Sequence, residues 1–200
     1  ELGASVAAVA GDVTDAEAVE ALIAGEASGI DGVFHLAGVL ADGALANTGA
    51  AQVEGAWAAK VEGARVLSEA VGGTAAFFVA FSSVVAGLGN AGQSAYGLAN
   101  AAMEEVVAAR VAAGWPGLAM QVGGVAGVGM LEGVADTGRF LVGLQSAESV
   151  FEGVAQVLGR SAAPTIAACF VPNVVVSEAA SGRGDEDLGD AVARILGFSS

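Results

Sequence analysis

The chain of 200 residues holds one cysteine, one tyrosine, one histidine, three prolines and seven basic side chains, of which Lys60 is the only lysine. Each scarcity excludes something. A lone Cys169 rules out an internal disulfide and any cysteine-based metal centre, and it is compatible with a reducing, cytoplasmic setting. Seven basic against 22 acidic side chains give a net charge of −15, which argues against nucleic acid and anionic membranes as partners. An anionic cofactor must therefore find local donors instead of a basic field. No run approaches the roughly 18 continuous apolar residues of a membrane span; the apolar stretch 75–81 is short and bounded by polar or glycine positions. Glu1-Leu2-Gly3 offers neither an initiator methionine nor a signal-peptide layout, which reads as a cut inside a longer polypeptide.

What is present is alanine, glycine and valine. Hydrophobic residues make up 54% of the chain, enough for a sizeable core, and the 31 glycines follow no collagen-like period. This composition and length suit one globular α/β domain. Along the chain, residues 5–10 read as a short buried strand, and Thr14 as the N-cap of a helix over 15–24 with early acids. A second strand spans 32–36, a long helix 50–71 and a Phe/Val-rich strand 75–82. A loop over 83–92 leads to a helix over 94–113, which Gly114, Pro116 and Gly117 terminate. A strand at 118–122, a glycine-dense loop at 123–129, a helix at 147–158 and a strand at 165–171 follow. Alternating strands and helices imply a parallel sheet with helices on both faces. Residues 177–189, rich in Gly, Ser and acids, read as a linker, and 190–198 as an amphipathic helix that is either similar to the opening helix of an acyl carrier protein or a surface helix of the same domain.

Few groups in so plain a chain can do chemistry, and four of them fall in a pattern. Ser83 precedes Tyr96 by thirteen positions, Asn100 follows it by four, and Lys60 lies upstream. Ketone reduction needs a hydride at carbon and a proton at oxygen. A free tyrosine, with a pKa of about 10, is a poor acid near neutrality; a nearby ammonium lowers that value, and Lys60 is the only lysine able to supply one. Ser83, at a strand end, is placed to hold a substrate oxygen. Tyr96 and Asn100 share one helix face, from which Asn100 would order a water or position Lys60. Singly, each has an ordinary reading as a packing residue, a surface charge or a cap; the joint spacing points to a site.

The residues that carry this pattern resemble a known family. Phe77-Phe78-Val79-Ala80-Phe81-Ser82-Ser83 and Gly89-Asn90-Ala91-Gly92-Gln93-Ser94-Ala95-Tyr96-Gly97-Leu98-Ala99-Asn100 are similar to the ketoreductase domain of polyketide synthases and animal-type fatty acid synthases, within the short-chain dehydrogenase/reductase superfamily. Gly11-Asp12-Val13-Thr14-Asp15, Gly32-Val33-Phe34-His35-Leu36-Ala37-Gly38-Val39, Lys60-Val61-Glu62-Gly63-Ala64 and Gly117-Leu118-Ala119-Met120-Gln121-Val122-Gly123 agree in order. In most of the superfamily the active-site lysine lies four residues after the tyrosine. Asn100 stands there in this chain, and the exchange with an upstream lysine marks the ketoreductase branch.

The resemblance implies a doubly wound, Rossmann-like parallel sheet. It implies NADPH as cofactor, and a β-ketoacyl thioester on an acyl carrier protein as substrate, beside neighbouring synthase domains. It makes Tyr96 the proton donor, Ser83 the oxyanion partner and Lys60 with Asn100 the supporting pair. Asp12 and the adjacent Val13 match the adenine end of the cofactor site, and Ala37 and Gly38 the turn that approaches the dinucleotide. His35 reads as a packed strand residue. Leu40-Ala41-Asp42 resembles the Leu-Asp-Asp motif of reductases making one alcohol stereoisomer, conventionally the B-type, with Ala41 in place of one acid; residues 127–131 match the start of a substrate lid. Nothing before Asp12 resembles the Gly-x-Gly-x-x-Gly turn that normally opens a dinucleotide-binding domain. The sequence therefore starts just before the family's third strand, lacking the first two strands and the Gly-rich loop. Residues 5–10 are then expected to be unpaired or displaced against the 33–36 strand, whose edge is bare, and the isolated chain to bind NADPH poorly. Two other readings compete: a discrete short-chain reductase acting on free ketones, and a truncated, non-catalytic remnant.

Overall fold

The computed structural model describes residues 5–40, 42–125, 142–159, 165–169 and 171–172. Ala41, the lid start at 127–131, the linker at 177–189 and the helix at 190–198 lie outside the described residues.

Helix α1 (Ala16–Ala24) comes first, followed by strand β1 (Gly32–His35) and a single 3₁₀ turn at Leu45–Asn47. Helix α2 (Ala50–Trp57), a π-helical segment (Ala58–Glu62) and helix α3 (Gly63–Val71) then run end to end. Strand β2 (Phe77–Ser83), the short α4 (Val85–Leu88), the long α5 (Ser94–Ala112) and strand β3 (Leu118–Val122) complete the central unit. Beyond it come β4 (Gly124–Val125), β5 (Val142–Gln145), α6 (Ala147–Leu158), β6 (Ile166–Cys169) and β7 (Val171–Pro172). Strands β1, β2, β3 and β6 form a four-stranded sheet in that order, parallel throughout. A three-stranded sheet, β4-β5-β7, sits apart from it.

The side-chain alternation of β2 divides the core. Phe78 and Ala80 pack with Val61, Ala64, Met103 and Val107, under the π segment, α3 and α5. Val79 and Phe81 pack on the other face with Val150 and Val154 of α6. β2 lies between two parallel neighbours and is buried on both faces, which is why it reads as a nearly continuous apolar run. Arg110 locks the first layer. It is 3% exposed and donates to the carbonyls of Ser68, Gly72 and Pro116, while its guanidinium lies 4.7 Å from the Phe78 ring centroid. One side chain thus satisfies carbonyls at the end of α3 and holds the turn after α5.

Several expectations need correction. Residues 5–10 are not a buried strand: they form no ladder and are exposed, the unpaired outcome foreseen if no neighbouring strand is present. Asp15, not Thr14, caps α1, its carboxylate accepting from Ala18 N; Thr14 instead bonds Asp12. The 50–71 helix is interrupted by the π segment, the 83–92 loop contains α4, and the 165–171 strand is two short strands in different sheets.

Candidate active site

In an open parallel sheet, ligands bind outside the carboxyl ends of the strands. Here β1 ends at His35, just before Ala37 and Gly38, and β2 ends at Ser83. Helix α5 begins with Ser94, so Tyr96 lies in its first turn and Asn100 one turn further. Ser83 is buried, and its Oγ accepts from Val85 N at 3.2 Å, the tight turn that starts α4. Asn100 is fully buried; its Nδ2 donates to the Tyr96 carbonyl at 2.9 Å. Its Oδ1 has no hydrogen-bond partner among the described residues. An unpaired buried acceptor costs about 1–3 kcal/mol, so this oxygen suits a donor from outside the protein.

Tyr96 is half-buried, and burial pushes its phenol above the ordinary tyrosine value. The side chains of Asn100 and Ser83 pull it back down, and the Asp42 charge pushes it up again. This corrects the expectation of a lowered phenol: the Lys60 ammonium is not among the groups that move it. Lys60 is 3% exposed and donates to the Phe81 carbonyl at 2.7 Å. Burial without an acidic neighbour lowers its pKa to about 8. The structure thus brings Ser83, Tyr96 and Asn100 together, and ties Lys60 to the strand residue two before Ser83. Asn100 bonds the Tyr96 backbone instead of Lys60.

The π segment explains how Lys60 reaches this position. A wider turn frees backbone carbonyls and rotates the side chains that follow, and such turns concentrate at functional sites. The Lys60 carbonyl, which the Gly63 N–H also reaches, accepts from His35 Nε2 at 3.1 Å, and Trp57 Nε1 bonds Glu62 Oε1 across five residues. His35 is buried, and desolvation lowers its pKa to about 4, so it is a neutral strut, as its strand position implied.

Asp12 is exposed, its Oδ1 held by Thr14 N and Oγ1, bonds that lower its pKa. Val13 packs on Gly63, where an added Cβ would come within 2.7 Å of Val13 Cγ1 and 3.1 Å of His35 Cε1. The Asp12-Val13 corner therefore lies beside the end of β1, whereas Ala37 and Gly38 are partly exposed beyond it. Asp42 belongs to a second clasp. Gln93 Nε2 donates to both its oxygens at 3.2 and 3.1 Å, and Gly43 N donates to the Gly92 carbonyl at 2.8 Å. Gly92 has φ +82°, a conformation that favours glycine, and this lets the loop after β1 meet the entry of α5.

Sequence reading missed Glu104. This buried carboxylate, eight residues after Tyr96, accepts from Ser82 Oγ and from Gln121 Nε2. The signal was the spacing: Tyr96, Asn100 and Glu104 repeat every four residues on one helix face.

The KR domain family matches residues 1–127. The chain belongs to this family. It is 40% identical over 144 residues to the pikromycin polyketide synthase component PikAII of Streptomyces venezuelae, covering 69% of this chain and 4% of that protein. It is 39% identical over 121 residues to erythronolide synthase EryA2 of Saccharopolyspora erythraea, covering 60% of this chain and 3% of that one. PlmKR1, the ketoreductase from the first module of phoslactomycin biosynthesis in Streptomyces sp. HK803, superimposes with a TM-score of 0.78 at 31% identity. That match covers 86% of this chain and 40% of PlmKR1. The Rossmann-like parallel sheet with flanking helices is thus the ketoreductase and short-chain dehydrogenase fold, and this KR domain chain spans a small fraction of its curated relatives and less than half of the solved reductase.

Proposed function

We propose that this KR domain serves a polyketide synthase in the cytoplasm, reducing the β-keto group of an acyl thioester on a carrier protein to a β-hydroxyl with NADPH. The observation that carries the reading is the gathering of Ser83, Tyr96 and Asn100 at the carboxyl end of β2, with the buried amine of Lys60 bonded two residues upstream on the same strand.

The donor set fits part of the cofactor. Lys60 has three donors, of which one goes to Phe81, and Asn100 offers a buried acceptor; both suit a polar group carrying hydroxyls and an amide. Asp12, Val13, Ala37 and Gly38 would line the remainder. Of the described arginines, Arg110 is consumed by three carbonyls and Ser68 Oγ and is not available for a phosphate, whereas Arg65 makes only an exposed pair with Glu62. When bound, NADPH supplies the hydride to the carbonyl carbon.

The chain's own residues account for the proton. A phenol held above its ordinary value stays protonated at neutral pH, so Tyr96 carries a proton to give to the substrate oxygen as that oxygen gains charge. Ser83 Oγ donates a hydrogen bond to the same oxygen. The Asn100 and Ser83 contacts favour the phenolate left behind, and Lys60, charged at neutral pH, lies within the same buried region.

The test is NADPH oxidation by the full-length protein with a β-ketoacyl thioester and with the matching free ketone. The reading expects kcat/KM for the thioester to exceed that for the ketone about tenfold or more, through binding contacts remote from the reacting carbon. Equal values would favour a discrete reductase of free ketones, and no oxidation with either would remove the reductase assignment.

A further inference from the structure

We infer that Glu104 is a positioning residue of this site, a clasp that sets the distance between Tyr96 on α5 and Ser83 on β2. The inference deepens the reductase reading and rests on it for the role of Tyr96 and Ser83, though not for the geometry.

Ser82 and Gln121 are register partners across β2 and β3, and both donate to the same Glu104 oxygen, Gln121 at 2.9 Å. One carboxylate on α5 therefore grips two adjacent strands at their carboxyl ends, one residue before Ser83. Glu104 is 7% exposed and Ser82 4%, so the clasp lies out of water, where hydrogen bonds to a charged acceptor are strong and geometrically demanding. Helix α5 is stiff between Glu104 and Tyr96, and Ser83 follows Ser82 directly. Fixing Glu104 against Ser82 thereby fixes the helix carrying the phenol against the strand carrying the hydroxyl. Met103 and Val107 of α5 also pack on Phe78 and Ala80 of β2, but that apolar contact is not directional; the contact of Ser83 with the phenol is the link at the site itself, and a drifting helix would lose it. A carboxylate buried only for packing would be replaceable by an apolar side chain; one that accepts from a cross-strand pair is not.

Tyr96 is the only tyrosine, so ¹³Cζ-tyrosine labelling reports on the site through a single resonance. The variants are Glu104→Gln, which keeps an acceptor oxygen, Glu104→Ala, which removes it, and Gln121→Leu, which removes one bond where Glu104→Ala fails to fold. In Glu104→Ala or Gln121→Leu the phenol should titrate closer to the ordinary tyrosine value, because loosening the helix admits water to a group that burial controls. Glu104→Gln should stay near wild type. In turnover by the full-length protein, Glu104→Ala should lower kcat about tenfold or more with KM changed far less, since the substrate still binds but meets a misplaced proton donor. A Tyr96 resonance and titration unchanged in both Glu104→Ala and Gln121→Leu would overturn the inference, whatever the loss of stability. An inactive wild type with a shifted Tyr96 in the variants would sink the reductase reading and keep the clasp.

Discussion

At the scale of single residues, the site region is built from buried groups whose protonation is controlled by desolvation. Lys60 and His35 show it most clearly, because the carbonyl of the first accepts from the ring of the second. His35 titrates at about 4 in the fold against an ordinary 6.5. Between those values the unfolded chain binds a proton that the native state refuses, so stability is full above pH 6.5 and is lost as pH falls toward 4. At pH 5 the loss is about 2 kcal/mol, from roughly 1.4 kcal/mol per pH unit. Urea midpoints at pH 7.5 and pH 5 should differ more for wild type than for His35→Gln; equal shifts would show that His35 is not buried neutral. Lys60 is depressed from 10.5 to about 8, so its contribution has the same sign in an alkaline window: stability rises with pH between those values.

At the scale of elements, the π segment is the piece of local structure on which Lys60 depends. Gly63 ends it, and its hydrogen atoms are all that fits between the α3 backbone, Val13 and His35. Gly63→Ala places a methyl 2.7 Å from a short, branched valine, an overpacking that costs about 1–3 kcal/mol. A lowered thermal midpoint checks this, and an unchanged one would mean that the Asp12-Val13 corner moves freely. The π turn was not legible in the sequence, because a single turn of five residues leaves the apolar periodicity of 50–71 nearly intact. α5 and β3 were legible, since Gly114, Pro116 and Gly117 break the chain between them and the alternation of β2 is written in Phe and Val. The spacing of the four candidate residues was legible, but their electrostatics were not. That Tyr96 is raised, and that Lys60 spends a donor on Phe81, depend on burial and on a carbonyl that no pattern of residue types displays. Thr14 and Asp15 are both good caps, and only the fold decides between them.

At the scale of the whole molecule, the sheet orders the site by presenting β1, β2 and β3 with their carboxyl ends side by side. Among the described residues, β1 has no partner on its outer edge, as the sequence reading expected. Beside that edge Phe34, 43% exposed, stacks toward Phe77, Phe81 and the 47% exposed Phe151, an apolar face that favours contact with further polypeptide. The clasps described above work across these layers: Arg110 joins α3 to α5, Gln93 joins the Asp42 loop to α5, and Glu104 joins α5 to β2 and β3. Helix α5 is thus held at its start, middle and end, and the phenol in its first turn is the group for which that restraint matters. The measurement that tests this most directly is turnover of a β-ketoacyl thioester by the full-length protein with Tyr96→Phe. The ring and its packing are kept and only the proton is removed, so thioester-dependent NADPH oxidation should fall to background, while the thermal midpoint stays close to that of wild type. Turnover at the wild-type rate would remove Tyr96 from the reaction and contradict the account.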